Sequence, residues 1–148
     1  MKLKKYTYNK IFYVLVIAWM VLIFWFSHQP VNKSSELSGG ITKLIVDKLE
    51  SILKIDLDNE LFEHLIRKAA HFTEYMILGI LMYIAFSKNN AFDSRRVLVC
   101  VIICVLYALS DEIHQYFIPG RAMRAFDVFI DSAGAVSGVF ITRLFIKC

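Results

Sequence analysis

Residues 110–131, SDEIHQYFIPGRAMRAFDVFID, gather Asp111, Glu112, His114, Gln115, Arg121, Asp127 and Asp131. Upstream, RKAAHFTE adds Arg67, Lys68, His71 and Glu74. Three kinds of chemistry fit these residue types. The carboxylates and imidazoles of His71, Glu74, Asp111, Glu112, His114, Asp127 and Asp131 are the oxygen and nitrogen donors a divalent ion takes. No HExxH-like spacing fixes a metal, and no motif specifies a cofactor. Arg121 and Arg67, with Lys68 or Arg124, can hold a phosphate or carboxylate through a bidentate fork. Glu74, Asp111, Glu112 and His71 would then orient the arginines or act as general acid and base. The third use is an ion-pair network that only fixes helix register.

The elements that must position these groups are apolar helices. Hydrophobic residues make up 57% of the 148-residue chain and the mean hydropathy is +0.55, against an apolar share of roughly 45–50% in soluble domains. That excess points to a bilayer as solvent. Apolar runs predict spans over about 9–27, 65–86, 97–117 and 128–145, each long enough for a hydrocarbon core about 30 Å thick. The first is a retained span, because bulky Trp25 and Phe26 before Ser27 make a poor signal-peptide cleavage site. Tyr6, Tyr8 and Trp25 are its interfacial anchors.

In the long connection after it, Ile41, Leu44, Ile45, Leu49, Ile52 and Leu53 recur at helical spacing, and Lys43, Asp47, Lys48, Glu50 and Lys54 take the other face. An amphipathic helix over about 38–55 is expected, lying on the membrane surface or packed over the bundle as a lid. The expected fold is all-α, an integral membrane four-helix bundle with an extra amphipathic interfacial helix in the long outer loop, one domain over 1–148. Lys2, Lys4, Lys5 and Lys10 place the N terminus in the cytoplasm, and an even number of spans brings the C terminus there too.

The polar residues sit at a common depth. Residues 75–86, 97–110 and 132–142 contain no Asp, Glu, Lys, Arg or His, so the first acid of each of the last three spans lies roughly 17–21 Å above its cytoplasmic end. An ionised acid facing lipid costs about 2.5–3.5 kcal/mol near a helix centre, so these acids should face inward to shared partners. Arg67, His71 and Glu74 share one face of the second span, Asp111 and Gln115 one face of the third, Asp127 and Asp131 one face of the fourth. Along that last face Gly134 and Gly138 form the small-xxx-small signature of close helix contact. Pro119 and Gly120 make a turn that aims Arg121 back over the bundle.

Other residues suggest no chemistry. Cys100 and Cys104, one turn apart in an apolar run, read as packing residues. Ser34, Ser35 and Ser38 lack a nucleophile's strand–turn–helix context, and His28 and His64 read as solvated interfacial residues. The basic residues behind the net charge of +4 form no aromatic-interleaved patch, so nucleic acid is not an expected partner.

Four stretches in order, FSHQP, RKAAHFTEYMILG, YALSDEIHQYFIPGR and DVFIDSAGA, resemble the VanZ-like family, named for a teicoplanin-resistance protein. The resemblance covers nearly the whole chain. By position it implies that Lys68, His71, Glu74, Asp111, Glu112, Gln115, Arg121, Asp127 and Asp131 are the shared polar residues. Relatives often carry Asn at the place of Asp131, which implies that a negative charge there is not indispensable. AMRAF after Arg121 departs from their Ser/Gly-containing stretch, which leaves Arg124 outside the shared residues. The resemblance also implies a cell-membrane protein of Gram-positive-type bacteria, linked in some members to lower teicoplanin susceptibility.

Taken together, these readings favour a cell-envelope protein whose polar site near the outer face binds an anionic component, such as a membrane lipid or lipid-linked cell-wall precursor. Arg67, Lys68, His71, Glu74, Asp111, Glu112, Gln115, Arg121, Asp127 and Asp131 form the expected binding set. A metal-assisted intramembrane hydrolase or transferase and an ion- or proton-coupled transporter are the alternatives. The transporter must contend with spans whose cytoplasmic halves carry no charged path.

Overall fold

The computed structural model describes residues 2–30, 39–40, 43–48, 51, 58–87 and 93–146, of which 2–9 and 93–94 are described by backbone alone. Four long helices dominate: α1 (Lys2–Ser27), α2 (Asn59–Phe86), α3 (Asp93–Gln115) and α4 (Ala125–Phe145). Each contains a stretch long and apolar enough to cross a membrane, and the described residues include no strand. The expected all-α membrane bundle is therefore what forms. In the long connection, residues 39–40, 43–48 and 51 are helical. Leu44 and Ile45 of the expected apolar face are exposed while Val46 is fully buried; Ile41, Leu49, Ile52 and Leu53 lie outside the described residues.

α2 begins at Asn59, earlier than the apolar run suggests. Asp58 caps it, its carboxylate accepting from the Glu60 and Leu61 amides at 3.0 and 3.2 Å. Such a cap satisfies amides that have no partner within the helix. The extra turns carry Arg67 and Lys68 on regular helix rather than loop, which fixes the direction of both side chains.

α2 is the central helix, in contact with the other three, and its most extensive interface is with α4. Glycine sets that interface. A methyl group built on Gly134 would overlap the Phe72 carbonyl, and one on Gly138 the Met76 carbonyl. From the other side, Gly79 of α2 faces the Ala135 carbonyl in the same way. The two backbones touch, as the small-xxx-small spacing in α4 leads one to expect. Ser137 and Thr142 point their hydroxyls at the Ala133 and Gly138 carbonyls of their own helix, at 2.8 and 2.7 Å, so neither leaves a polar atom without a partner.

α1 is held by side chains reaching its neighbours' backbones. The Trp19 indole donates to the Glu74 carbonyl at 2.9 Å, and the Tyr107 hydroxyl of α3 donates to the Met20 carbonyl at 2.6 Å. The core between the helices includes Tyr75, Leu78, Tyr83, Cys100, Cys104, Ala135 and Val139, all fully buried. Cys100 and Cys104 are free thiols inside this core, as packing residues should be. Large apolar side chains such as Val14, Ile17, Val21, Leu98, Leu106 and Leu144 are more than half exposed. Buried polar groups inside an apolar exterior suit a protein whose outer surface meets lipid rather than water.

Candidate functional site

At one end of the bundle meet the C termini of α1 and α3 and the N termini of α2 and α4. The turn between α3 and α4 closes this end. Ile118, Pro119, Gly120 and Arg121 form a type II turn: the Arg121 amide donates to the Ile118 carbonyl at 3.1 Å, and Gly120 takes φ 80°, which an L side chain there would resist. The turn sends Arg121 across to α1. Its Nε donates to the Gln29 carbonyl at 3.0 Å, and a terminal nitrogen lies 3.5 Å from the Phe26 carbonyl. A guanidinium beside the last carbonyls of a helix satisfies acceptors that the helix leaves open. Arg121 thus does point back over the bundle, and its first job is to tie down the end of α1.

Two side-chain pairs link α2 to α4 in register. Lys68 pairs with Asp127, and one turn deeper His71 Nδ1 lies 3.5 Å from Asp131 Oδ1. Arg67 pairs within its own helix with Glu63 at 2.8 Å, a partner that face analysis of the motif residues alone does not supply. On α3, Gln115 donates to Asp111 Oδ2 at 3.2 Å. Glu112, fully buried, turns to the backbone: its Oε1 accepts from the Arg124 amide at 2.7 Å. Arg124 is the N-cap residue of α4 and its side chain makes no capping bond; a carboxylate from α3 instead takes its backbone N–H, as the acidic partner of a capping box would. Replacing Glu112 with Gln keeps an acceptor and should cost little. Glu112→Ala strands the Arg124 amide and is expected to destabilise by about 2 kcal/mol, measured by thermal unfolding in detergent.

Between these elements lies a cavity of about 180 Å³. α2 lines it with His64, Arg67, Lys68 and His71; Gln115 and the turn residues Gly120, Arg121 and Ala122 form another wall. Arg124 and Asp127 complete it. Three arginines and a lysine therefore line the cavity with one carboxylate, Asp127. Lys68 already pairs with it and Arg67 with Glu63, which leaves Arg121 and Arg124 as cations that make no ion pair with a lining carboxylate. Burial and, after it, the nearby Arg67 charge pull Arg121 below the ordinary arginine pKa. Crowded cations of this kind favour an anion between them.

The expected binding residues separate into two layers. Arg67, Lys68, His71, Gln115, Arg121 and Asp127 line the cavity, whereas Glu74, Asp111, Glu112 and Asp131 do not. Asp111, Glu112 and Asp131 lie fully or almost fully buried. Asp111 Oδ1, Glu112 Oε2 and both oxygens of Asp131 have no hydrogen-bond partner. Of the acid–base candidates, His71 alone lines the cavity. Among the described residues no three His, Cys, Asp or Glu side chains converge as a metal-ion group.

The periodicities did not single out His64, Ala122 or Arg124 as a common wall, nor the contact between His28 and His114. His28 Nδ1 and His114 Nε2 lie 3.1 Å apart, with Phe24 against both rings. His28 is exposed as expected, but it is also partnered. His64 is exposed too while lining the cavity.

No curated protein and no solved structure matches the chain. A protein-family model does: VanZ/LLP1, over residues 12–146. The matched stretch takes in both interhelical side-chain pairs, the type II turn and every residue of the cavity wall. With a bundle of four membrane-crossing helices closed by this polar end, the chain belongs to the VanZ/LLP1 family.

Proposed function

We propose that this protein is a cell-envelope membrane protein that binds the phosphate or pyrophosphate of an anionic lipid, a lipid-linked cell-wall precursor above all, in the cavity at its polar end. The observation that carries this reading is the wall of Arg67, Lys68, Arg121 and Arg124 facing the single carboxylate Asp127. Arginine forks match phosphate oxygens in geometry as well as charge. The N-terminal lysines favour cytoplasmic termini, which opens the cavity on the outer side of the cell membrane, where such precursors are used. Lower teicoplanin susceptibility would follow from changing or hiding what the antibiotic meets.

Binding of farnesyl diphosphate to the detergent-solubilised protein, read by titration calorimetry, tests the proposal. Arg124 is the informative position because its side chain is exposed and does not cap α4. Arg124→Gln is expected to weaken binding by about tenfold, the loss of one charge-assisted contact of roughly 1.4 kcal/mol, while thermal stability stays unchanged. Wild-type protein that binds no pyrophosphate would overturn the reading. In cells, unaltered teicoplanin susceptibility and unaltered precursor composition with Arg124→Gln and Arg121→Ala would remove the link to resistance.

A further inference from the structure

Behind the cationic wall stands a histidine backed by a buried acid. His71 lines the cavity, and its Nδ1 is buried and faces Asp131 Oδ1 at 3.5 Å. Asp131 is fully buried and neither of its oxygens has a hydrogen-bond partner. Placing a carboxylate in a helix interface with no partner but an imidazole 3.5 Å away is costly. A helix contact already set by Gly134 and Gly138 does not need it. What the carboxylate does supply is orientation: an acid at Nδ1 holds the proton on that nitrogen and leaves Nε2 as the base on the cavity side. A separation longer than a hydrogen bond is common in unliganded sites and tightens when the ligand arrives.

We propose that this end of the bundle is a phosphohydrolase site in which His71 moves the proton and Asp131 positions His71. The inference rests on the anion-binding reading and adds a reaction to it. Water attacks the terminal phosphorus of a pyrophosphate held by the cavity cations. The new P–O bond forms as the bond to the bridging oxygen breaks, and that electron pair leaves on the lipid monophosphate. The attacking water gives its proton to His71 Nε2, and the imidazolium returns it to solvent once inorganic phosphate departs. Arg67, Arg121, Lys68 and Arg124 offset the charge spread over the phosphoryl oxygens. No electron acceptor and no second substrate other than water is required.

Phosphate release from farnesyl diphosphate by the full-length protein in micelles tests the reaction, with binding measured on the same samples. His71→Gln is expected to lower kcat by about 100-fold or more, with binding changed by less than about threefold and the acidic limb of the wild-type pH profile, where a general base is lost to protonation, abolished. Asp131→Ala removes the group facing Nδ1 and should lower kcat with KM unchanged, since the ring loses its orientation and not its place. Asp131→Asn, the residue relatives often carry, keeps an acceptor for Nδ1–H and should retain more of the rate. Inorganic pyrophosphate serves as a second substrate. Faster turnover of the farnesyl compound assigns a lipid headgroup and equal turnover assigns the free anion, and both outcomes support hydrolysis. Wild-type protein that binds farnesyl diphosphate but releases no phosphate overturns this inference and leaves the binding reading intact. Failure to bind overturns both. His71→Gln turning over at the wild-type rate removes His71 from the reaction.

Discussion

Gly134→Leu, and equally Gly138→Leu, is expected to abolish the native α2–α4 contact. Even the first carbon of a new side chain would meet a backbone carbonyl, Phe72 for Gly134 and Met76 for Gly138. A backbone atom cannot rotate away, so the helices must separate. Overpacking a tight core costs about 1–3 kcal/mol where side chains absorb it, and here none can, so a loss of about 3 kcal/mol or more is expected. Separation would also break the register of Lys68 with Asp127 and of His71 with Asp131, so anion binding should fail together with folding. Thermal unfolding in detergent and recovery of monodisperse protein measure the effect. Gly39→Ala and Gly40→Ala, where the new carbon has nothing within 4 Å, are the controls and should leave both unchanged. Wild-type stability in Gly134→Leu would mean that the backbones are not in contact.

Arg121→Ala should have the next largest effect, because one side chain serves two purposes. It donates to the Gln29 carbonyl and approaches the Phe26 carbonyl at the end of α1, and it lines the cavity. Loss of a hydrogen bond made by a charged group costs about 1.5–3 kcal/mol, so a clear fall in thermal stability is expected. Anion affinity should drop by more than tenfold, beyond the effect at Arg124, since α1 and the cavity wall loosen together. Arg121→Lys separates the two contributions. Its compact ammonium keeps the charge but cannot reach two carbonyls and an anion with one planar fork. Affinity should recover in part and stability should stay low. Full recovery of both would show that charge alone, and not the fork, is what position 121 supplies.

Much of the architecture is legible one helix at a time. The spans follow from apolar length, because lipid allows no unsatisfied backbone and selects helices. The shared depth of the acids follows from counting residues along each helix. The α2–α4 contact is announced by Gly134 and Gly138, and the turn by Pro119 before Gly120. The start of α2 was less legible: its first turns are polar, and only the Asp58 cap marks them.

The pairings were a different matter. Periodicity places Asp127 and Asp131 on one face of a helix, but it does not say that Lys68 and His71 stand opposite them. Nor does it show that Glu112 turns from the cavity to the Arg124 amide, that Asp111 and Asp131 sit behind the wall rather than in it, or that Arg121 grips α1. Each of those facts depends on how far one helix is rotated and slid against another. A shift of one residue turns a helix by about 100° and exchanges the side chains it presents. The chain's own sequence therefore determined which chemical groups reach this end of the bundle and at what height. Rotation and register, set where the Gly134 and Gly138 backbone touches α2, decided which of them meet each other and which face the cavity.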